Sequence, residues 1–334
     1  MKLQGRHYLI TGGTGFIGAG LVKGLLASGA RVRTFDNDSR GSKEKLGDAA
    51  KNVEMLVGDI RDTDAVSKAL EGVDAVCHLA YVNGTEFFYS KAELILDVAV
   101  RGMLNVIDGC RQHGIRELVL ASSSEVYQTP PKVPTDESVP LTVPDVLNPR
   151  FSYGGGKIIS ELMAVVYGRN HFDRVLIFRP HNVYGPDMGW EHVIPQFALR
   201  LHDLHTAQPE GILPFSIQGT GEETRSFIFI DDMIEGVLKV AERGEHLGIY
   251  NIGSGIETSV GELAREMARQ ISREIELLPG KLQLGSTPRR CPDIQKLSAL
   301  GFAPSTTLSE GLAKTINWYI ENSYKNPHKK YETT

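Results

Sequence analysis

Tyr153 and Lys157 open a helical pattern and are well placed to move a proton. Four residues are about one turn of an α-helix, so the phenol and the ammonium lie on the same face. A cation close to a phenol favours the ionised phenolate, which can take the proton of a hydroxyl group that is being oxidised. The same spacing also occurs by chance, so the pair predicts catalysis only together with a cofactor site elsewhere in the chain.

A second polar group follows the apolar run at residues 118–121, which predicts a buried strand. Ligands of open α/β sheets bind beyond the carboxyl ends of the strands, so the polar residues that come next are expected at a ligand site. The hydroxyl of Ser123 could orient the reacting hydroxyl group, and the carboxylate of Glu125 could move a second proton. A capping or loop role is the alternative for Glu125.

The glycine-rich segment 11–18, Thr-Gly-Gly-Thr-Gly-Phe-Ile-Gly, lies between a predicted strand and an apolar-periodic helix. Glycines let the backbone approach a pyrophosphate closely, and the N–H groups at the helix N-terminus attract the anion. Asp36 follows roughly 20 residues later, where a carboxylate can accept hydrogen bonds from a ribose. The pattern predicts a dinucleotide site; the alternative is a turn that only packs a helix on a sheet.

Asp36 favours NAD over NADP, because its carboxylate would repel a 2′-phosphate. Arg33 and Arg40 lie nearby and keep NADP open, since an arginine can balance the phosphate charge. The turn Gly58-Asp59-Ile60 closes the third predicted strand. Asp59 is expected either to contact the adenine or to be a solvated turn residue.

The elements that must position these groups alternate in the first half of the chain. Short β-branched runs predict strands at 7–11, 31–36, 53–57, 75–79, 117–121 and 174–178, with helical patterns between them. Right-handed crossovers would wind them into an open, doubly wound parallel α/β sheet. Beyond about Pro180, prolines interrupt shorter elements and helical patterns return at 232–242, 260–271 and 308–319, so a second, mixed α/β lobe is expected.

The composition limits the partners. A net charge of −5 and a pI near 6.1 argue against nucleic acid or an anionic membrane. Cys77, Cys110 and Cys291 are widely spaced, so the sequence predicts neither a metal site nor a disulfide framework. With no apolar leader or membrane-length run recognised, we expect a cytoplasmic protein.

Further motifs are His78-Leu79-Ala80, the segment Arg-Pro-His-Asn-Val-Tyr-Gly-Pro at 179–186, the segments 219–227 and 230–232, and Pro-Arg-Arg-Cys-Pro-Asp at 288–293. Together with the glycine loop, Asp36, the Asp59 turn, Ser123 and the Tyr153–Lys157 pair, they resemble the NAD-dependent epimerase/dehydratase family of extended short-chain dehydrogenases. The resemblance covers nearly the whole chain. It implies a Rossmann-type domain at 1–180 and a smaller lobe for a nucleotide sugar at 181–334, with a segment near 226–255 that returns to the first domain. It also implies bound NAD and a homodimer.

The resemblance to this family also implies which residues form the site. The cofactor-binding residues are then Gly12, Gly15, Phe16, Ile17, Gly18, Asp36, Asn37, Arg40, Asp59, Ile60, Leu79, Ala80, Ser122, Tyr153, Lys157, Pro180 and Val183. The catalytic residues are Ser123, Glu125, Tyr153 and Lys157, and the substrate-binding residues are Ser123, Ser124, Arg150, Asn182, His192, Arg225 and Arg289. Arg225 and Arg289 are expected to hold the diphosphate, which suits a bidentate donor.

Members of this family usually oxidise C4 of the sugar and hold the hydride on bound NAD, after which the keto sugar is epimerised, dehydrated or decarboxylated. Ser123-Ser124-Glu125 resembles the Thr-Ser-Glu of GDP-mannose 4,6-dehydratases and UDP-glucuronate decarboxylases. Arg150 and the 288–293 segment lean toward the decarboxylases, where an arginine could hold a substrate carboxylate; a surface role is the alternative for Arg150.

Three features keep the reaction open. Ala99 stands where many relatives have asparagine, Gln218 stands where an aromatic residue often stacks on the base, and the insert 188–192 is unfamiliar. Trp190 and His192 in this insert either contact the substrate or belong to a packed loop. An NADPH-consuming reductase and a non-catalytic dinucleotide sensor remain the alternative functions.

Overall fold

Parallel strands form the centre of the computed structural model, which describes residues 2–281, 285 and 287–327. Within these residues the strands are β1 His7–Thr11, β2 Arg31–Asp36, β3 Val53–Val57, β4 Ala75–His78, β5 Glu117–Ala121, β6 Arg174–Pro180, β7 Val183–Tyr184, β8 Leu213–Ser216, β9 Thr224–Arg225, β10 Ile228–Phe229, β11 Gly248–Ile252, β12 Thr258–Ser259 and β13 Ile275–Leu278.

The helices in the same part of the chain are α1 Phe16–Ala27, α2 Thr63–Leu70, α3 Thr85–Ser90, α4 Ala92–Asp97, α5 Met103–Gln112, α6 Ser152–His171, α7 Val193–Ala207, α8 Ile230–Arg243, α9 Val260–Gln270, α10 Gln295–Ser298 and α11 Leu308–Glu321. Shorter 3₁₀ and π segments lie at Lys43–Asn52, Val98–Gly102, Ser124–Tyr127, Pro149–Phe151 and Ser323–Lys325.

The main sheet has seven parallel strands among the described residues, in the order β11-β6-β5-β4-β1-β2-β3. The predicted fold class is confirmed. The predicted strands agree with β1 to β6, except that β4 ends at His78 and β6 continues to Pro180. The direction of winding reverses between β1 and β4, and such a switch point opens a crevice beyond the carboxyl ends of the strands.

The central strands are continuous apolar runs because both of their faces are covered. Every residue of β1, β4 and β5 is buried, as expected for parallel strands with helices on both sides. One face packs Leu21, Val22 and Leu25 of α1 into a core. The opposite face packs α2, α5 and α6.

Late segments of the chain join this first layer. A Cβ on Gly20 or Gly24 of α1 would lie 2.9 or 2.8 Å from the side chain of Ile234, so only glycine lets α8 approach α1 this closely. Strand β11 then forms the edge of the main sheet beside β6. We propose that the segment 226–255 belongs with residues 1–180, as do Leu297 and Phe302, which pack in the same core, and that the other described residues of 181–327 form the second lobe.

The second lobe is built on β8 and β13, which pair in parallel. Its core contains Phe197 of α7, Phe215 of β8, Met267 of α9 and Leu312 of α11. In the described part of the chain, no helix has both the length and the apolar character needed to cross a membrane.

Candidate active site

A cavity of about 710 Å³ lies beyond the carboxyl ends of the strands and is lined by residues of both lobes. Each predicted cofactor-binding residue lines it: Gly12, Gly15, Phe16, Ile17, Gly18, Asp36, Asn37, Arg40, Asp59, Ile60, Leu79, Ala80, Ser122, Tyr153, Lys157, Pro180 and Val183. Ser123, Ser124, Glu125, Arg150, Asn182 and His192 line it as well. All of the predicted site residues except Arg225 and Arg289 therefore meet at one site, and their individual roles stay predictions.

The glycine loop fits the pyrophosphate of a dinucleotide. Gly12 has a φ of 72°, and a Cβ there would lie 2.8 Å from the backbone nitrogen of Ala80. A Cβ on Gly18 would overlap the carbonyl oxygen of Gly12. Within the described residues, α1 has no side-chain cap at Gly15 and no acidic residue in its first turn, so its positive end is open to an anion.

Asp36, which is predicted to contact the ribose, lines the cavity. Its carboxylate accepts hydrogen bonds from the backbone N–H groups of Thr14 and Asp38, both at 3.0 Å, which fix its orientation at the cavity wall. Arg33, which kept NADP open, does not line the cavity; it binds Glu54 at 2.8 Å and two backbone carbonyls. Arg40 does line the cavity and pairs with Glu191 at 3.1 Å.

The carboxylate of Asp59 is held by its own turn. It accepts hydrogen bonds from the backbone N–H and the guanidinium of Arg61, and this pairing lowers the pKa of Asp59 to about 2. Asp59 is therefore ionised at the edge of the cavity. A contact with adenine stays a prediction.

The Tyr153 phenol and the Lys157 ammonium lie in the buried centre of the cavity wall. Burial raises the pKa of Tyr153 to about 12, while a hydrogen bond with Ser123 acts in the opposite direction. Burial lowers the pKa of Lys157 to about 7, against the attraction of Glu161. The Nζ atom of Lys157 donates to the carbonyl oxygen of Ala121 at 2.7 Å.

Aromatic rings that the sequence did not single out surround Tyr153. Phe88 of α3 stacks on its ring at 4.8 Å between centroids, and Tyr81 meets it edge-on at 5.2 Å. The only sequence signal was the position of Tyr81 directly after the His78-Leu79-Ala80 motif.

Glu125 lies among arginines. Its Oε1 accepts a hydrogen bond from Nη1 of Arg290 at 2.6 Å, and its Oε2 lies 3.8 Å from Nη2 of Arg150. Burial opposes ionisation, but Arg290, Arg150 and Arg225 together lower the pKa of Glu125. Glu125 is therefore a carboxylate in the cavity at neutral pH.

Arg290 reaches the cavity and Arg289 does not, so the structure does not support Arg289 as a substrate contact. Successive side chains of an extended segment point to opposite sides, and this segment runs beside Thr224 of β9. Arg289 faces away and binds Glu257 at 2.6 and 2.7 Å. Arg225 does not line the cavity itself but is close enough to Glu125 for each to influence the pKa of the other.

Comparisons with known proteins agree with this geometry. The profile of the NAD dependent epimerase/dehydratase family matches residues 8–253. The chain belongs to this family. It is 31% identical to a UDP-glucose 4-epimerase of Mycolicibacterium smegmatis, over 94% of this chain and 99% of that one. It is 32% identical to UDP-glucuronic acid decarboxylase 2 of Arabidopsis thaliana, over 93% of this chain and 68% of that one.

The fold comparison extends to a member with its cofactor. The dTDP-glucose 4,6-dehydratase DesIV of Streptomyces venezuelae, with NAD bound, superposes with a TM-score of 0.83 at 29% identity, over 96% of this chain and 98% of that one. Epimerase/dehydratase family members are NAD-dependent sugar-modifying enzymes, and this chain is one of them. NAD is its cofactor.

The insert 188–192 is packed against helix α11 of the second lobe. Trp190 meets Tyr319 of α11 edge-on at 4.8 Å, which ties the insert to the second lobe. His192 is largely enclosed, and burial followed by the charge of Arg40 lowers its pKa. Trp190 and His192 also line the cavity, so a contact with substrate stays a prediction for both.

A buried polar network supports the catalytic wall from behind. Arg179 of β6 binds both carboxylate oxygens of Glu161, at 2.9 and 2.6 Å. The same carboxylate accepts a short hydrogen bond from Ser122, at the tip of β5. Arg179 also donates to the Tyr127 hydroxyl at 2.6 Å. This network joins α6, β5 and β6 below the Tyr153 site.

Proposed function

We propose that this enzyme oxidises C4 of the sugar in a nucleoside-diphosphate sugar while bound NAD holds the hydride, and then epimerises or dehydrates the keto intermediate. The observation that carries the proposal is that Ser123, Tyr153 and Lys157 line the same cavity as the glycine loop. The two curated relatives support the substrate class, since both names specify a UDP-linked sugar.

Bound NAD supplies a hydride acceptor. The chain's own residues handle the proton. Tyr153, as the phenolate, takes the hydroxyl proton as the hydride leaves the carbon, so that the C–H and O–H bonds break and a ketone forms. Ser123 orients the hydroxyl by hydrogen bonding, and Lys157 in its cationic form stabilises the phenolate. The ketone acidifies neighbouring C–H bonds, and Glu125, held ionised by its arginines, is the base available there.

The diphosphate is proposed to bind at Arg290, and Arg225, which does not line the cavity, contributes its positive charge nearby. Arg290 is almost completely buried and its Nε has no hydrogen-bond partner among the described residues, which leaves a donor for an anion. Planar guanidinium groups suit bidentate contacts with phosphate oxygens. This assignment replaces Arg289 by its neighbour.

A panel of UDP-, GDP-, CDP- and dTDP-sugars tests the proposal. Purified protein is incubated with each sugar, and the products are read by mass spectrometry and by NMR for stereochemistry, with the variant Tyr153→Phe as the matched control. We expect one nucleotide series to change with the wild type and not with the variant. If no sugar changes in mass or configuration, the proposed activity is wrong.

Decarboxylation of a nucleotide-linked hexuronate is the second candidate. It is favoured by Arg150, which lines the cavity next to Glu125 and could pair with a substrate carboxylate. The Arabidopsis relative named a UDP-glucuronic acid decarboxylase supports it. In the same panel, this reaction would appear as the loss of carbon dioxide from a hexuronate and no change in neutral hexoses.

We propose that the protein is a homodimer. Ile159, Leu162 and Val166 lie on one face of α6 and are 38%, 62% and 48% exposed, a contiguous apolar stripe that a second copy could cover. Sedimentation of wild type and Leu162→Glu tests this, with dimer expected for the first and monomer for the second.

The predicted cytoplasmic location is supported by the three cysteines, which are all buried and unpaired.

A further inference from the structure

Tyr81 contacts both members of the Tyr153–Lys157 pair. The Lys157 Nζ lies 3.7 Å from the centroid of the Tyr81 ring, within the range of a cation–π contact. The edge contact between the rings of Tyr81 and Tyr153 is nearly perpendicular, at 85°, an orientation that aromatic pairs favour. The Tyr81 hydroxyl also donates to the backbone carbonyl of Tyr153 at 3.4 Å.

Gly156, which has no side chain, leaves space for the ring of Tyr81. A Cβ on Gly156 of α6 would overlap the Tyr81 hydroxyl oxygen and lie 2.9 Å from the Cβ of Ala99. Gly156 lies one residue before Lys157, and Ala99 is among the smallest residues that could face it. The Tyr81 phenol therefore occupies a space that two small residues define.

We propose that Tyr81 is a positioning residue for the catalytic pair: the face of its ring holds the Lys157 ammonium, and its edge fixes the ring of Tyr153. The proposal rests on the proposed catalytic roles of Tyr153 and Lys157. It assigns no contact with the substrate to Tyr81.

The contact acts on the charge of Lys157. A ring face attracts the cation and not the neutral amine, so it favours the protonated lysine and raises the pKa of Lys157. Among the described residues, the other titratable groups coupled to the charge of Lys157 are Glu161 on its own helix and His78 on β4, and Tyr153 lies one turn before it on α6. His78 is neutral, because burial lowers its pKa to about 3. Glu161 raises the pKa of Lys157, so Tyr81 works in the same direction.

The pKa of Lys157 can be measured without any substrate, by NMR of labelled lysine side chains with Lys157→Arg to assign the signal. The variants are Tyr81→Leu, which removes the ring, Tyr81→Phe, which keeps it, and the control Tyr89→Leu on the exposed side of α3. We expect Tyr81→Leu to lower the pKa by roughly 0.4 to 1.5 units, and Tyr81→Phe and Tyr89→Leu to leave it within about 0.2 units.

Equal pKa values in Tyr81→Leu and wild type would overturn the proposal, as would equal shifts in Tyr81→Leu and Tyr81→Phe. Once a substrate is known, the alkaline limb of kcat should move to lower pH in Tyr81→Leu, with little change in KM. The NMR measurement needs no turnover. A failed search for substrate would therefore contradict the proposed function but leave the role of Tyr81 to be decided by the pKa values.

Gly156→Ala provides a second test through the packing. The new methyl group collides with the Tyr81 hydroxyl and lies 2.9 Å from the Cβ of Ala99, whereas the ring carbon behind that hydroxyl lies at 3.6 Å, an ordinary contact distance. We expect Gly156→Ala to lower the pKa of Lys157 by displacing the ring. The double variant Gly156→Ala/Tyr81→Phe should regain the part of the loss that the hydroxyl causes, because the contact with Ala99 is common to both variants. A double variant no better than Gly156→Ala would contradict the proposed packing.

Discussion

Replacing Arg290 by Gln is expected to weaken the binding of a nucleoside diphosphate far more than the same change at Arg289. The two arginines are adjacent in the chain and differ in direction. The Arg290 side chain is 4% exposed, lies 2.6 Å from Glu125, and keeps an unpaired Nε among the described residues. The Arg289 side chain is 58% exposed and bound to Glu257 outside the cavity.

The size of the effect follows from the number of charged hydrogen bonds. One hydrogen bond to a charged group contributes about 1.5–3 kcal/mol, which corresponds to roughly a 10- to 150-fold change in Kd. Gln at 290 would also leave Glu125 without its shortest ion pair and with its charge facing the phosphate, so the loss should lie in the upper part of this range. Arg289→Gln breaks an exposed ion pair and should change the Kd less than about fivefold.

Isothermal titration calorimetry with UDP, GDP, CDP and dTDP, using the nucleotide that wild type binds best, measures both constants. Thermal unfolding of each variant controls for misfolding. A larger loss for Arg289→Gln than for Arg290→Gln would mean that Arg289, and not Arg290, faces the bound diphosphate.

Three further predictions concern the catalytic wall. Tyr153→Phe should lower turnover by a factor of about 10² to 10⁴ while NAD still co-purifies, which extraction and quantification of the dinucleotide would verify. Lys157→Met should lose the pH dependence of the free energy of unfolding that Lys157 gives the wild type. The folded pKa of Lys157, about 7, lies below its unfolded value of about 10.4, so between these values the unfolded chain binds more protons and wild type gains stability as pH rises. Urea unfolding at about pH 7 and pH 9 should therefore show the stability of the variant relative to wild type falling with pH. Glu161→Gln should cost about 3–5 kcal/mol in the same assay, because it leaves Arg179 with a buried charge, while the exposed Asp48→Asn should have no measurable effect.

The strands and the glycine loop were predictable because their signals are local. A parallel strand covered on both faces must be a short apolar run, and β1, β4 and β5 each have one. The carboxyl ends of such strands meet at one edge of the sheet, so Ser123 and Asp36 could be assigned to a common site without knowledge of any long-range contact.

The side chains that were missed depend on contacts between distant segments. Whether Arg289 or Arg290 faces the cavity is decided by the pairing of the segment with Thr224, which no periodicity in the sequence reveals. The place of Tyr81 depends on Gly156, roughly 75 residues away, where the missing side chain makes the space. The run of glycines at the start of α6 does not favour a helix. The structural reason for Gly156 becomes clear only once the Tyr81 ring beside it is known.

Charge balance bears on which sugar enters the cavity. Arg150, Arg225 and Arg290 surround one ionised carboxylate, Glu125, so this part of the cavity carries a net charge of about two, which the two charges of a diphosphate ester would match. A hexuronate would bring a third negative charge, and it could enter at low cost only if Glu125 took up a proton. Glu125→Gln therefore separates the two candidate reactions. For a neutral hexose the change should slow the step after oxidation and alter binding only through the shared diphosphate, whereas for a hexuronate it should tighten binding further, by removing a like charge beside Arg150. A tighter complex of the variant with a UDP-hexuronate, measured by calorimetry against the corresponding UDP-hexose, would shift the assignment toward decarboxylation.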